Sequence, residues 1–127
     1  MKFTRKTFPI ALVSLALAGA AFSEDVDGDL MRGIDDTAKS LDSNVAQKDG
    51  KAAAADARSL VETFARVESH YGEKPGTADA VGFAHHTQEL AAQALKAIEA
   101  NDFDTAGDAV AQLTRSCKSC HEVYKKD

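Results

Sequence analysis

The sequence has few of the residues that interrupt helices or cross-link a fold. It contains two prolines and two cysteines in 127 residues, and it has no tryptophan. Pro9 lies in the apolar leader described next and Pro75 in a loop, so no helix is interrupted by a proline. The two cysteines could form a disulfide, and no repeat, linker or low-complexity segment indicates a second domain.

Apolar runs long enough to span a membrane are also missing. The longest one, 10–22, is too short to cross a bilayer comfortably. Small residues at its end offer cleavage positions after Ala20 or Ser23. Three cations precede it, namely Lys2, Arg5 and Lys6. This order predicts a signal peptide over 1–23, a single domain over 24–127, export to the periplasm, and no membrane span once the signal is removed.

Basic residues are outnumbered by acidic ones. The chain has 15 lysines and arginines against 20 aspartates and glutamates. Removing the leader would take away three basic residues and no acidic ones, which leaves 12 against 20 and a charge near −8. This balance argues against nucleic acid as a partner, because binding phosphates needs a basic surface.

The remaining sequence is rich in alanine and charged helix formers, and its apolar residues recur at helical spacing. Asp25 or Asp27 is expected to cap the first helix, and Gly50 to end it. The predicted helices cover about 26–47, 51–71, 79–100 and 103–126. Because short connections make consecutive helices antiparallel, the predicted fold is an all-α, up-down-up-down antiparallel four-helix bundle.

Both cysteines lie on the apolar seam of the fourth predicted helix. The seam advances by steps of three and four residues, as in a heptad repeat. It consists of Phe103, Ala106, Val110, Leu113, Cys117, Cys120 and Tyr124. His121 follows on the same side, so the sequence C-x-x-C-H is expected to point broadly into the bundle near the helix end.

Four kinds of site compete for these groups. A disulfide is disfavoured because residues three apart in a helix are poorly oriented for it. Thiol redox chemistry is disfavoured because no βαβ unit is present and catalytic thiolates prefer helix N-termini. Zinc is disfavoured because the adjacent Cys120 and His121 can hardly reach one metal, and no second ligand pair is present. The fourth is one covalently attached haem, with Cys117 and Cys120 as thioether donors and His121 as an axial iron ligand.

The stretch CKSCHEVYKK, with Tyr124 and Lys125 three and four positions after the histidine, resembles the class II c-type cytochromes. These are the cytochrome c′ group and its low-spin relatives. The resemblance covers the mature chain in architecture and implies a bundle with one haem c, and by analogy a homodimer. It also implies a distal residue in the first helix, where Met31 in DLMRGIDD stands near the matching position. The chain is shorter than the family, and Asp27 and Gly28 stand where the family often has an arginine.

Met31 is the candidate second axial ligand, with core packing as its alternative role. A thioether suits haem iron, and in an antiparallel bundle the start of the first helix lies beside the end of the fourth. His85 and His86 are each about 130° from the buried face of the third helix and are expected to face solvent. His70 is off its helix stripe. Tyr124 is expected to pack on the haem.

These features predict a periplasmic electron carrier, with one haem per chain, that is not an enzyme. The alternative is a five-coordinate, cytochrome c′-like protein that binds nitric oxide or carbon monoxide. A peroxidase lacks support because no distal acid–base histidine is evident. Cations near the haem end predict docking of an acidic redox partner, or they simply complement the helix dipole. They are Arg115, Lys118, Lys125 and Lys126.

Overall fold

The computed structural model describes residues 26–124, apart from the side chain of Tyr124. The predicted signal peptide and the residues Lys125 and Lys126 therefore lie outside the described residues. Within them the chain forms four helices and no strand, which confirms the all-α prediction. The helices are α1 Gly28–Ala46, α2 Gly50–Gly72, α3 Ala78–Glu99 and α4 Phe103–Tyr124. No helix in this part of the chain is long and apolar enough to cross a membrane.

The helices pack in a ring, each against the next along the chain and α4 against α1. Their directions alternate, and the short turn 47–49 reverses the chain between α1 and α2. A Cβ added at Gly107, near the start of α4, would lie 3.9 Å from Val45 Cγ1 at the end of α1. Arg58 Nη2, near the start of α2, lies 3.4 Å from Glu99 Oε1 at the end of α3. The bundle is therefore up-down-up-down, and the start of α1 shares one end of it with the end of α4.

Three helices begin at an aspartate cap. Asp27, Asp49 and Asp102 each accept a hydrogen bond from the backbone N–H three residues later, at 2.8, 3.2 and 3.1 Å. Each cap satisfies one of the N–H groups that a helix start leaves without an internal partner. Of the two predicted caps for α1, Asp27 is the one used.

The prediction that Gly50 ends α1 is wrong. α1 ends at Ala46, and Gly50 is the first residue of α2. The left-handed turn falls on Lys48, with φ of 56°. Its backbone N donates to Val45 O at 3.0 Å, and the N of Asp49 donates to Asn44 O at 2.9 Å. These two bonds close the helix in a Schellman arrangement, and they hold a lysine in a conformation that glycine usually takes.

A leucine from each helix fills the centre of the bundle. Leu41, Leu60, Leu90 and Leu113 are at most 2% exposed. Buried alanines in α2 and α3 let those two helices approach closely, and α2 and α3 share the most extensive interface. α1 packs least tightly, and its interface with α4 is the smallest of the four in the ring. Residues of both helices line the candidate site.

Candidate functional site

A cavity of about 680 Å³ lies at the end of the bundle that contains the start of α1 and the end of α4. Its volume is within the range of roughly 300–1,000 Å³ that is usual for small-molecule and cofactor sites. The walls are mainly apolar. Aromatic side chains from α2 and α3 are part of the lining, namely Phe64, Tyr71 and Phe83.

The two predicted thioether donors and the two predicted iron ligands line this cavity. Cys117, Cys120 and His121 come from the last turns of α4, and Met31 comes from the first turn of α1. Both cysteines and Met31 are partly buried, while His121 is exposed at the rim. Residues more than eighty positions apart in sequence are brought together because the alternating helix order places the two chain ends at one end of the bundle.

The two cysteines are free thiols in an environment that keeps them protonated. Burial raises the pKa of Cys117 to about 11, and the electrostatic influence of Cys120 and of the Asp35 carboxylate acts in the same direction. Burial also raises the pKa of Cys120, with a further contribution from the carboxylate of Asp79. Thiol–disulfide catalysis needs a thiolate with a lowered pKa. This environment therefore does not favour the redox-pair interpretation of the motif.

Tyr71 extends the aromatic wall toward the thiols. Burial raises the pKa of its hydroxyl, and the charge of Cys120 adds to the effect. The ring of His70 packs edge-on against the Tyr71 ring, with centroids 5.1 Å apart and planes at 86°. His70 is therefore a neighbour of a lining residue, and it is not among the residues that line the cavity.

Polar groups occupy one part of the cavity wall and its rim. Thr87 from α3 is buried in the wall, where Oγ1 donates to the backbone O of Phe83 at 2.7 Å. Asp35 and Lys39 from α1 form an ion pair, with Lys39 Nζ 2.5 Å from Asp35 Oδ2. Both of these side chains are largely exposed, so the ion pair contributes little to stability.

Asp35 is not among the site residues predicted from the sequence, and for the aromatic lining residues the sequence leaves haem packing and core packing equally open. One signal for Asp35 was available, because it follows Met31 by one helical turn and so shares its face. The aromatic residues Phe64, Tyr71 and Phe83 have the same spacing as core residues, and nothing in their pattern distinguishes a cavity wall from a packed core.

The paired histidines of α3 face solvent, as their spacing predicts. His85 and His86 are exposed and do not line the cavity. His85 Nδ1 is 3.2 Å from Glu68 Oε1, and Nε2 is 3.3 Å from Glu89 Oε1. These carboxylates raise the pKa of His85. Across the described part of the chain, no group of three or more His, Cys, Asp or Glu side chains converges to hold a metal ion.

The remaining predicted residues lie on the last turns of α4. Arg115 and Lys118 are exposed on its outer surface, and so is Val123, a large apolar side chain that is 59% exposed. Tyr124 is the last helical residue, and because its side chain is outside the described atoms, its packing role stays a prediction.

The arrangement offers two protonated thiols, an imidazole and a thioether around a largely apolar cavity. Such groups can hold a flat apolar ligand by covalent and coordinate bonds. In comparisons with known proteins, no family model, no curated protein and no solved structure matches this chain.

Proposed function

We propose that this protein is a mono-haem c-type cytochrome that transfers electrons in the periplasm. The observation that carries the proposal is the convergence of Met31, Cys117, Cys120 and His121 on one cavity. A C-x-x-C-H sequence alone is short enough to occur by chance. Its location in the wall of a cofactor-sized cavity, with a thioether from another helix, is much harder to explain by chance.

The residues present fit a haem. The cavity is large and apolar enough to take most of a porphyrin, with Phe64, Tyr71 and Phe83 as packing partners. Cys117 and Cys120 would each add across one vinyl double bond, so that sulfur bonds to one carbon and the thiol proton goes to the other. This addition needs no oxidant, and the protonated thiols supply both atoms. Bound haem c would contribute a one-electron iron couple.

His121 and Met31 would supply the two axial ligands from different helices. His121 follows the second thiol, and Met31 comes from α1 across the cavity. A methionine ligand raises the reduction potential of the iron. An apolar environment limits the access of water to it. A closed coordination sphere suits an electron carrier, because the iron then changes oxidation state without gaining or losing a ligand.

An acidic redox partner is the partner that fits this end of the bundle. Arg115, Lys118 and Val123 are each exposed on the last turns of α4, in a chain whose formal charge is −5. Local positive charge can steer a negatively charged partner to this end, and an exposed apolar side chain can contact it after the encounter.

The absorption spectrum of the purified protein, recorded with and without carbon monoxide, tests the proposal. We expect a low-spin ferrous spectrum that carbon monoxide leaves unchanged, and haem that stays on the chain in a denaturing gel. Replacing both cysteines, Cys117→Ser with Cys120→Ser, should abolish the covalent haem, and each single replacement should leave one thioether.

Two outcomes would contradict parts of this proposal. A chain that carries no haem when it is exported in a host with c-type attachment machinery would overturn it entirely. Ready binding of carbon monoxide would instead favour a five-coordinate iron and the gas-binding alternative, with Met31 as a packing residue.

A further inference from the structure

One buried hydrogen bond links α4 to α3 next to the thiol pair. Thr87 Oγ1 lies 2.5 Å from Ser116 Oγ, and the two residues are 2% and 7% exposed. Thr87 lines the cavity, and Ser116 directly precedes the cavity-lining Cys117. The bond therefore joins the cavity wall to the residue before the first thiol.

The direction of this bond follows from its neighbour. Thr87 Oγ1 also lies 2.7 Å from the backbone O of Phe83. A carbonyl oxygen can only accept, and a hydroxyl has one proton to donate. Thr87 therefore donates to Phe83, and Ser116 donates to Thr87. The hydroxyl proton of Ser116 is therefore donated to a residue of another helix, α3.

The neighbouring hydroxyls of α4 behave differently. Thr114 Oγ1 donates to Val110 O at 3.1 Å, and Ser119 Oγ donates to Arg115 O at 3.0 Å. Both bond to their own helix four residues earlier, which is the common pattern for Ser and Thr inside helices. Ser119 precedes Cys120 just as Ser116 precedes Cys117, yet of the two serines only Ser116 bonds across to α3.

Apart from Ser116, the buried side chains of α4 are apolar. Ala106, Val110 and Leu113 pack by apolar contacts, which are non-directional. A rotation of 10° moves a Cα by about 0.4 Å at the helix radius of about 2.3 Å, and it moves a side-chain sulfur further. A hydrogen bond resists such rotation because its energy falls steeply with misalignment.

We propose that the Ser116–Thr87 hydrogen bond fixes the rotation of α4, so that Cys117, Cys120 and His121 face the cavity. Ser116 and Thr87 are positioning residues, because they act through the motif and not on a ligand. The role of this alignment in haem attachment rests on the proposed function. The placement of the Cys117 thiol does not, and it can be measured without haem.

The first experiment uses the chain produced without haem and carrying Cys120→Ser, so that Cys117 is the one thiol. The rate at which iodoacetamide alkylates that thiol measures how often the thiol is accessible to solvent. We expect Ser116→Ala to speed alkylation about two- to tenfold, the factor that corresponds to losing one hydrogen bond. Thr87→Val should have a similar effect, and Thr87→Ser, which keeps the hydroxyl, should retain the original rate.

Ser119→Ala is the matched control, because it removes a hydroxyl that bonds only within α4. It should leave the alkylation rate unchanged. Equal effects of Ser116→Ala and Ser119→Ala, or no effect of either, would overturn the proposal. The free energy of unfolding is measured on the same variants. A rate increase that merely equals the loss of global stability would also overturn it, because the bond would then be a general stabilising contact.

The second experiment uses the exported, haem-loaded chain and intact-mass spectrometry. Ser116→Ala should raise the share of chains with one thioether instead of two, and Ser119→Ala should not. A wild-type chain without haem would reject the proposed function, while the alkylation rates would still decide the positioning role. Normal haem loading together with unchanged alkylation rates would reject the positioning role and support the proposed function.

Discussion

In the proposed haem site, Met31 is the candidate for the second axial ligand. It lines the cavity from the first turn of α1 and is the one methionine in the described part of the chain. Met31→Leu keeps the volume and removes the sulfur, so it should change stability by less than about 1.5 kcal/mol. We expect it to produce a high-spin spectrum, carbon monoxide binding and a lower reduction potential, because the thioether ligand is lost.

A control for this change lies next to Met31 in the sequence. Leu30 packs against the core but does not line the cavity. Leu30→Ala should lower the free energy of unfolding and leave the spectrum low-spin. If Met31→Leu stays low-spin as well, then another group ligates the iron and Met31 is a packing residue.

The Cys117 thiol gives the haem-free chain a dependence on alkaline pH. Its folded-state pKa is raised from 9.0 to about 11, so the folded state holds its proton where the unfolded state has lost it. Stability is therefore fully present below pH 9 and declines as the pH rises toward 11. Urea unfolding between pH 8 and 10.5 should show a decline that is smaller in Cys117→Ala. Equal slopes in the two chains would contradict the buried, protonated thiol.

Some residues of the site can be predicted from the sequence, and others cannot. Cys117, Cys120 and His121 form a short motif on a helical seam, and Met31 is conspicuous because methionine is scarce in this chain. Thr87 lies on the predicted buried face of the third helix, but the sequence does not show that its hydroxyl bonds to Ser116. That contact depends on the relative height and rotation of two helices, which apolar spacing does not encode.

At the scale of elements, α1 is the helix on which the cavity depends most. It packs least tightly in the ring, and its first turn carries Met31. That turn is held by Asp27, whose Oδ1 accepts from Leu30 N at 2.8 Å and whose backbone O accepts from Met31 N at 3.1 Å. Fraying of the first turn would therefore move Met31 away from the cavity.

Asp27→Ala tests this dependence. Loss of an N-cap side chain costs about 0.5–2 kcal/mol, and here we expect the loss to fall on the first turn of α1. The measurable results are a lower free energy of unfolding and partial carbon monoxide binding by the haem-loaded protein. Asp27→Asn is the matched variant, because asparagine caps equally well without the charge. If Asp27→Asn binds carbon monoxide as readily as Asp27→Ala does, then the charge of Asp27 matters and its capping bond does not.

The helices themselves were predictable because each has a regular apolar stripe, and the described bounds agree with the predicted ones to within two residues, leaving aside the end of α4. The turns were less predictable. Gly50 is the residue that usually ends a helix, yet Lys48 takes the left-handed conformation, and Asn101 does the same after α3. Two backbone hydrogen bonds to carbonyl groups of the preceding helix hold each of these turns, and a propensity scale does not include such bonds.

At the scale of the whole molecule, the alternating helix order was enough to predict that Met31 and His121 share one end of the bundle. The size of the cavity and its aromatic lining were not predictable in this way. They depend on how side chains from all four helices pack together at that end of the bundle, which the spacing of apolar residues in each helix does not give. Asp35 and Lys39 line the cavity as an exposed ion pair, and Asp35 is close enough to Cys117 to act on its pKa.

The charge distribution of the bundle leads to a prediction about rates. The chain is acidic overall, and Arg115 and Lys118 are exposed at the cavity end. Reversing both, Arg115→Glu with Lys118→Glu, should slow oxidation of the reduced protein by hexacyanoferrate(III), an anionic oxidant, because local positive charge attracts it. We expect about a three- to tenfold decrease at low ionic strength, and the difference should shrink as added salt screens the charges.

The control reverses two exposed cations at the opposite end, Lys51→Glu with Lys96→Glu, and changes the net charge by the same amount. If the electron leaves through the cavity end, this control should slow the reaction much less than the first pair of changes. Equal slowing by the two double variants would show that the oxidant responds to net charge alone. It would also remove the reason to place an acidic redox partner at the end of α4.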